Sequence, residues 1–249
     1  ENVYVSDDFD SRIFIYDKQG NFQGNWGTKG SGDGELNGPS GLAFDREDNL
    51  YIVDSLNSRV QKFTADGKLL AKWGSPGSGP GQFNLPWGIT IDKAGHVYVA
   101  DWKNDRVQKF TPDGEFLAAF GESGEGEGQF HRPSSVSVDD NGYMYVADWG
   151  NERVQILSPD GSFHEILHGE ATLSKWALEW LEANQDEYQL RKASDLAVTD
   201  LPSERVTPYY VSSQTEHLFW GPVSVKLDSQ QRMYVAEHNR HRIQIYEKA

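Results

Sequence analysis

The sequence has no cysteine, which excludes disulfides, thiolate metal sites and a cysteine nucleophile without fixing a compartment. It has no uninterrupted run of about 18 apolar residues, so nothing in it reads as a membrane span. Basic residues are scarce as well: 23 Lys and Arg stand against 38 Asp and Glu, a formal charge of -15. Affinity for nucleic acid comes largely from cations that neutralise phosphates, so this balance argues against a nucleic-acid partner. The first residues, Glu1-Asn2-Val3-Tyr4, enter directly on a strand pattern, with no basic segment, apolar stretch or cleavage site before them. The expectation is that the natural protein has sequence before Glu1, and localisation stays open between extracytoplasmic and cytoplasmic.

What the chain does have is repetition. Tyr4, Tyr51, Tyr98 and Tyr145 stand 47 residues apart, and a fifth copy begins at Tyr234 after an insertion of 42 residues beyond one period. One full unit runs Pro86-Trp87-Gly88-Ile89-Thr90-Ile91-Asp92, then Val97-Tyr98-Val99-Ala100-Asp101, then Arg106-Val107-Gln108-Lys109-Phe110, and closes on Glu115 to Gly121. Each segment alternates β-branched and aromatic residues over five to seven positions and is bounded by Gly, Pro, Asp or Asn. Ala65-Asp66-Gly67, Pro112-Asp113-Gly114 and Pro159-Asp160-Gly161 put glycine where a tight hairpin needs a positive φ.

Four short antiparallel strands per repeat read as blades of an all-β propeller; a helix-plus-turn solenoid would not be all strand. Complete units start at Pro39, Pro86 and Pro133. Residues 2–27 supply the last three strands of a blade and residues 222–246 the first three of another, which gives five blade equivalents. The whole of 1–249 is expected to form one propeller domain, incomplete at its N-terminus, with 169–220 as a helical insertion between blades.

The pattern Pro-x-Gly-(Leu/Ile)-x-(Phe/Ile)-Asp, Tyr-(Ile/Val)-(Val/Ala)-Asp, Asn-x-Arg-Val-Gln resembles the NHL repeat family. Pro39, Gly41, Asp45, Tyr51, Asp54, Asn57, Arg59 and Gln61 carry it in one unit, and Asn104, Arg106 and Gln108 in the next. With its insertion before a last blade ending Arg240 to Gln244, the chain is similar to bacterial NHL proteins that are commonly six-bladed. The resemblance implies a binding or scaffolding platform or a sensor domain. Related propellers include amidating lyases and gluconolactonase-like hydrolases, and fold alone does not choose among these.

The acidic column Asp7, Asp54, Asp101, Asp148 and Glu237 has an arginine five residues after each member: Arg12, Arg59, Arg106, Arg153 and Arg242. A within-blade ion pair or loop cap explains that recurrence better than a ring of cation ligands, at about 0–1 kcal/mol for each exposed pair. The glycine-rich stretches 30–34, 77–81 and 124–128 mimic phosphate loops. They precede strands, lack the following helix, and read as connectors.

Positions that do not repeat are the better guide to function. The loops on one propeller face are expected to carry Phe9, Trp87, Trp102, Trp149, His131, Arg132, Trp220, His238 and Asn239. Of these, Trp87, Trp102, Trp149, His131, Arg132, Trp220 and His238 are the candidate ligand-binding residues, for a protein, peptide or glycan. Packing on neighbouring blades is the plain alternative for Trp102 and Trp149. No catalytic residue is assigned and no cofactor is expected. The alternative function is a metal-dependent lyase or lactonase with Ca or Zn in the central channel, and its ligands would come from histidines such as His131 and His238. His164 and His168 are expected on an outer strand. In the insertion, Leu173, Trp176, Ala177, Trp180 and Leu181 fall on one helical face, with Thr172 or Ser174 as the N-cap. That helix reads as a lid on the propeller or a partner-binding element.

Overall fold

The computed structural model describes residues 2–170, 175–194 and 207–247. Five antiparallel sheets follow one another along the chain. Blade 1 is three-stranded (Asn2–Asp7, Arg12–Asp17, Phe22–Trp26). Blade 2 comprises Pro39–Phe44, Leu50–Asp54, Arg59–Phe63 and Leu69–Trp73. Blade 3 comprises Pro86–Ile91, Val97–Asp101, Arg106–Phe110 and Phe116–Phe120. Blade 4 comprises Pro133–Val138, Met144–Asp148, Arg153–Leu157 and Phe163–Leu167. Blade 5 is again three-stranded (Pro222–Leu227, Met233–Glu237, Arg242–Tyr246). The expected all-β propeller with five blade equivalents is present.

The alternation within each strand sends neighbouring side chains to opposite blades, and so the core is a set of interfaces between sheets. Tyr51, Val53 and Val60 of blade 2 meet Ile89, Val97 and Val99 of blade 3. Tyr98 and Val107 meet Val136, Met144 and Val146 of blade 4, and Ala147 and Val154 meet Val225, Met233 and Val235 of blade 5. Leu36, Phe83, Phe130 and Phe219, each three residues before the next blade's proline, plug these interfaces and are fully buried. Phe219 therefore marks where the insertion re-enters the repeat.

The innermost strands approach so closely that a Cβ on Gly88 would stand 2.6 Å from the Ser134 carbonyl oxygen. That explains the Pro-x-Gly signature by backbone contact, in addition to any turn. Gly67 serves a second interface: its φ is +91°, and a Cβ there would stand 2.7 Å from the Trp26 ring of blade 1.

The outward faces of blades 1 and 5 differ from those between. Val3 and Val5 are 53% and 44% exposed, although their counterparts Leu50 and Ile52 are fully buried. Ile243 is 63% exposed at the place of buried Val60, Val107 and Val154. Among the described residues no core cluster joins blade 5 to blade 1.

In place of the single helix expected, the insertion has three helices among its described residues: α1 (Lys175–Ala183), α2 (Gln185–Ala193) and α3 (Pro208–Gln214). Leu181 of the expected apolar face is buried, whereas Trp180 is half exposed. Leu173, the side chain of Trp176, and the N-cap candidates Thr172 and Ser174 lie outside the described residues. The third helix lacks the apolar periodicity that reveals the first; its signal is Thr207 followed by Pro208, a side-chain cap onto the Tyr210 amide with proline at the first turn.

Candidate functional site

The acidic column resolves into a clamp built four times. In blade 3, Asp101 is fully buried and accepts from the Asn84 amide (2.8 Å), Asn104 Nδ2 (2.9 Å), Arg106 Nε (2.9 Å) and Gln108 Nε2 (3.1 Å). Arg106 then donates to the carbonyls of Ser78, Gly79 and Gln82 in the glycine-rich connector. Asp54 with Arg59 and Asp148 with Arg153 reproduce this arrangement. The glycine-rich loops are thus connectors read by arginine through their carbonyls, as the sequence suggested.

One expectation is corrected. The pairs are not exposed ones worth about 1 kcal/mol at most; with the carboxylates of Asp54, Asp101 and Asp148 fully buried, breaking one is expected to cost about 3–5 kcal/mol. Loss of water outweighs the hydrogen bonds and arginines beside them and pushes Asp101 and Asp148 above the usual carboxylate range. In blade 1, Asp7 instead caps the Asp10 amide, and Arg12 turns to Asn25.

Blade 5 shows how the insertion is tied down. Glu237 replaces aspartate and binds Arg242, Gln244 and the Trp220 amide. Arg242 donates to the carbonyls of Glu216 and Leu218, and Arg240 donates to those of Ser212 and Thr215 at the end of α3. Helix α3 packs against the 3-10 turn Trp149–Asn151, so the last part of the insertion docks on its own propeller. Glu152 adds a further tie, its buried carboxylate accepting from the Gly221 amide. Burial, helped by nearby Glu237, pushes Glu152 up to about 7 against that hydrogen bond.

The loops between second and third strands and those between blades share one face of the ring, where each carboxylate that ends a second strand lies opposite the proline that opens its own blade. On it, Trp87, Trp102 and Trp149 form a row, with ring centroids 6.0 and 6.3 Å apart and planes tilted by 47° and 48°. The Arg132 guanidinium lies 5.0 Å above the Trp102 ring, and the Lys103 ammonium 6.0 Å from it. Trp87 is 49% exposed at a position that is Ser40, Ser134 or Val223 in other blades.

His131 stands beside this row. Its amide donates to Asp148, and its ring lies so close to Gly150 that no side chain fits there. Trp220 forms a separate group, edge-on to Tyr209 of α3 at 5.6 Å and beneath Arg240 at 5.5 Å. His238 faces His241, with ring centroids 6.3 Å apart. Among the described residues no three His, Asp or Glu side chains gather as a metal-binding group. His164 is on the outer strand as expected, while His168 lies just past its end.

The row borders a central cavity of about 500 Å³ to which all five blades contribute, among them Asp8, Ser40, Trp87, Ser135 and Lys226. Serine hydroxyls staple its walls: Ser55 donates to the Pro86 carbonyl, Ser134 to that of Pro222 and Ser135 to that of Val225. Sequence reasoning missed Lys226. The signal was available, because the same repeat position holds Ala43, Thr90 and Ser137.

Blades of four antiparallel strands stapled through their inner edges define a β-propeller. The NHL repeat model matches residues 83–110, and a model described as a 6-bladed beta-propeller matches residues 1–63, so the chain carries an NHL repeat within a propeller. No curated protein matches the chain in sequence.

Several solved structures share the fold. A protein of unknown function from Bacteroides thetaiotaomicron is 20% identical with a TM-score of 0.63, over 99% of this chain and 56% of that one. Virginiamycin B lyase from Staphylococcus aureus is 11% identical with a TM-score of 0.57, over 99% and 66%. The nidogen/laminin complex gives 16% and 0.58, over 99% and 76%. The chain spans about two thirds of the length of the lyase structures it matches. Identities this low show the fold alone. No helix among the described residues is long and apolar enough to cross a membrane.

Proposed function

We propose that this propeller is a binding module whose loop face, centred on Trp87, Trp102, Trp149 and Arg132 and flanked by His131, Trp220 and His238, engages a protein, peptide or glycan. One observation carries the reading: three tryptophans from positions that the repeat does not require stand in a row on the loop face, with a guanidinium stacked on the middle ring. Large amphipathic rings beside cations are the usual composition of a recognition surface. The insertion borders the same face through α3 and Trp220 and acts as its rim.

Peptide and glycan arrays probed with the labelled protein test this. Ligands retained by the wild type should be lost by the Trp102→Ala/Trp149→Ala variant while its circular dichroism is unchanged. Full retention by a folded variant would sink the assignment. The lyase or lactonase reading makes a different demand: a stoichiometric Ca or Zn in the purified protein that disappears when His131 and His238 are replaced, measured by elemental analysis.

A further inference from the structure

We propose that the central channel is a second binding site beneath the loop face, for a small organic carboxylate whose anion is held by the ammonium of Lys226 and whose apolar body lies against Leu42 and Trp87. This rests on the reading of the loop face only in taking that face as the entrance.

The cation is out of place by every rule of the repeat. At its position the other first strands carry Ala43, Thr90 and Ser137, so neither blade packing nor the staples of the inner edge call for charge. Its side chain reaches from blade 5 to blade 3 and donates to the Ile89 carbonyl at 3.3 Å. That contact uses one of three donors, and no carboxylate among the described residues pairs with the ammonium. Although water reaches the side chain, the surrounding inner strands remove enough of it to lower the ammonium below the usual lysine range. The sequence carries a formal charge of -15, yet among the described residues this cation has no carboxylate partner.

The cavity suits an organic acid better than an inorganic anion. At about 500 Å³ it falls within the range of small-molecule pockets. Its lining combines Leu42 and Trp87 with Ser224, which stands two residues before Lys226 on the same strand. Asp8 is the carboxylate that lines the same cavity, and it belongs to the loop level at the mouth. Lys226 lies three residues further along the strand than Val223, the counterpart of Trp87, or about 10 Å deeper. An incoming anion thus meets Lys226 beyond Asp8, while a ring behind it lies level with Trp87.

Isothermal titration calorimetry with 2-naphthoate and its neutral isostere 2-naphthamide tests the assignment on the full chain. The wild type should prefer the acid by about tenfold or more, since a charge-assisted contact is lost in the amide. Lys226→Met should abolish the preference, and Lys226→Arg, which keeps the charge, should retain it; thermal unfolding of both checks that they fold. Equal affinity for the two probes, no heat from either, or a preference that survives in Lys226→Met would overturn the proposal. Trp87→Ala separates the two readings. If it weakens both probes while Lys226→Met changes nothing, the aromatic face stands and the carboxylate site falls. If Lys226→Met alone matters, the carboxylate site stands without help from the tryptophan row.

Discussion

Asp101 is fully buried, accepts four hydrogen bonds and, through Arg106, holds the connector that leads into its blade. Trp102, the next residue, is partly exposed on the loop face and touches Trp87, Trp149 and Arg132. The first has an equivalent in every blade; the second is serine in blade 2 and histidine in blade 5. In a repeat protein the recurring residues solve the problem that recurs, which is closing one blade on the next. Recognition is left to positions where the copies disagree. Lys226 against Ala43, Thr90 and Ser137 is the same contrast inside the channel.

The largest effect should come from breaking the recurring side. Asp101→Ala leaves Arg106 and Gln108 without their shared acceptor and is expected to cost about 3–5 kcal/mol in urea unfolding, enough to leave the chain largely unfolded in some conditions. Glu152 is expected to act through pH. Its folded value of about 7 lies above the ordinary 4.5, so the folded state binds the extra proton. The associated stability, about 3 kcal/mol, is present below pH 4.5 and lost as pH rises through 7. Glu152→Gln keeps an acceptor for the Gly221 amide and should flatten that slope relative to wild type in melts from pH 5 to 8; parallel slopes would remove Glu152 from the account.

Gly67→Ala should cost about 1–3 kcal/mol, because it meets both a positive φ and the Trp26 ring. At the small end, Trp87→Ala, already half exposed, should change stability by about 1 kcal/mol or less while weakening whatever stacks on it. A large loss of stability at Trp87 would blur the division between the two sets of residues.

The blade architecture was legible because strand alternation and Asp-Gly turns are local signals repeated at one period. The clamp was legible only in part. Spacing paired Asp101 with Arg106, but spacing does not reveal burial, which turns a weak surface pair into a strong constraint. The row of tryptophans was anticipated as a shared face, whereas its stacking with Arg132 depends on the approach of blades 3 and 4 and has no sequence signature. Helices α2 and α3 escaped for a different reason: α2 is mostly polar, with Tyr188 and Leu190 as its large apolar side chains, and the end of α3 is held by Arg240, a partner from the following blade. Trp220, grouped in sequence with the other tryptophans, packs under that helix instead.

Equilibrium urea unfolding of Asp101→Ala and Trp102→Ala side by side tests the central division most directly, since the two substitutions fall on consecutive residues. The account predicts a loss of about 3–5 kcal/mol for Asp101→Ala and no more than about 2 kcal/mol for Trp102→Ala. Equal losses, or a larger one at Trp102, would show that the tryptophan row is part of the scaffold and would contradict it.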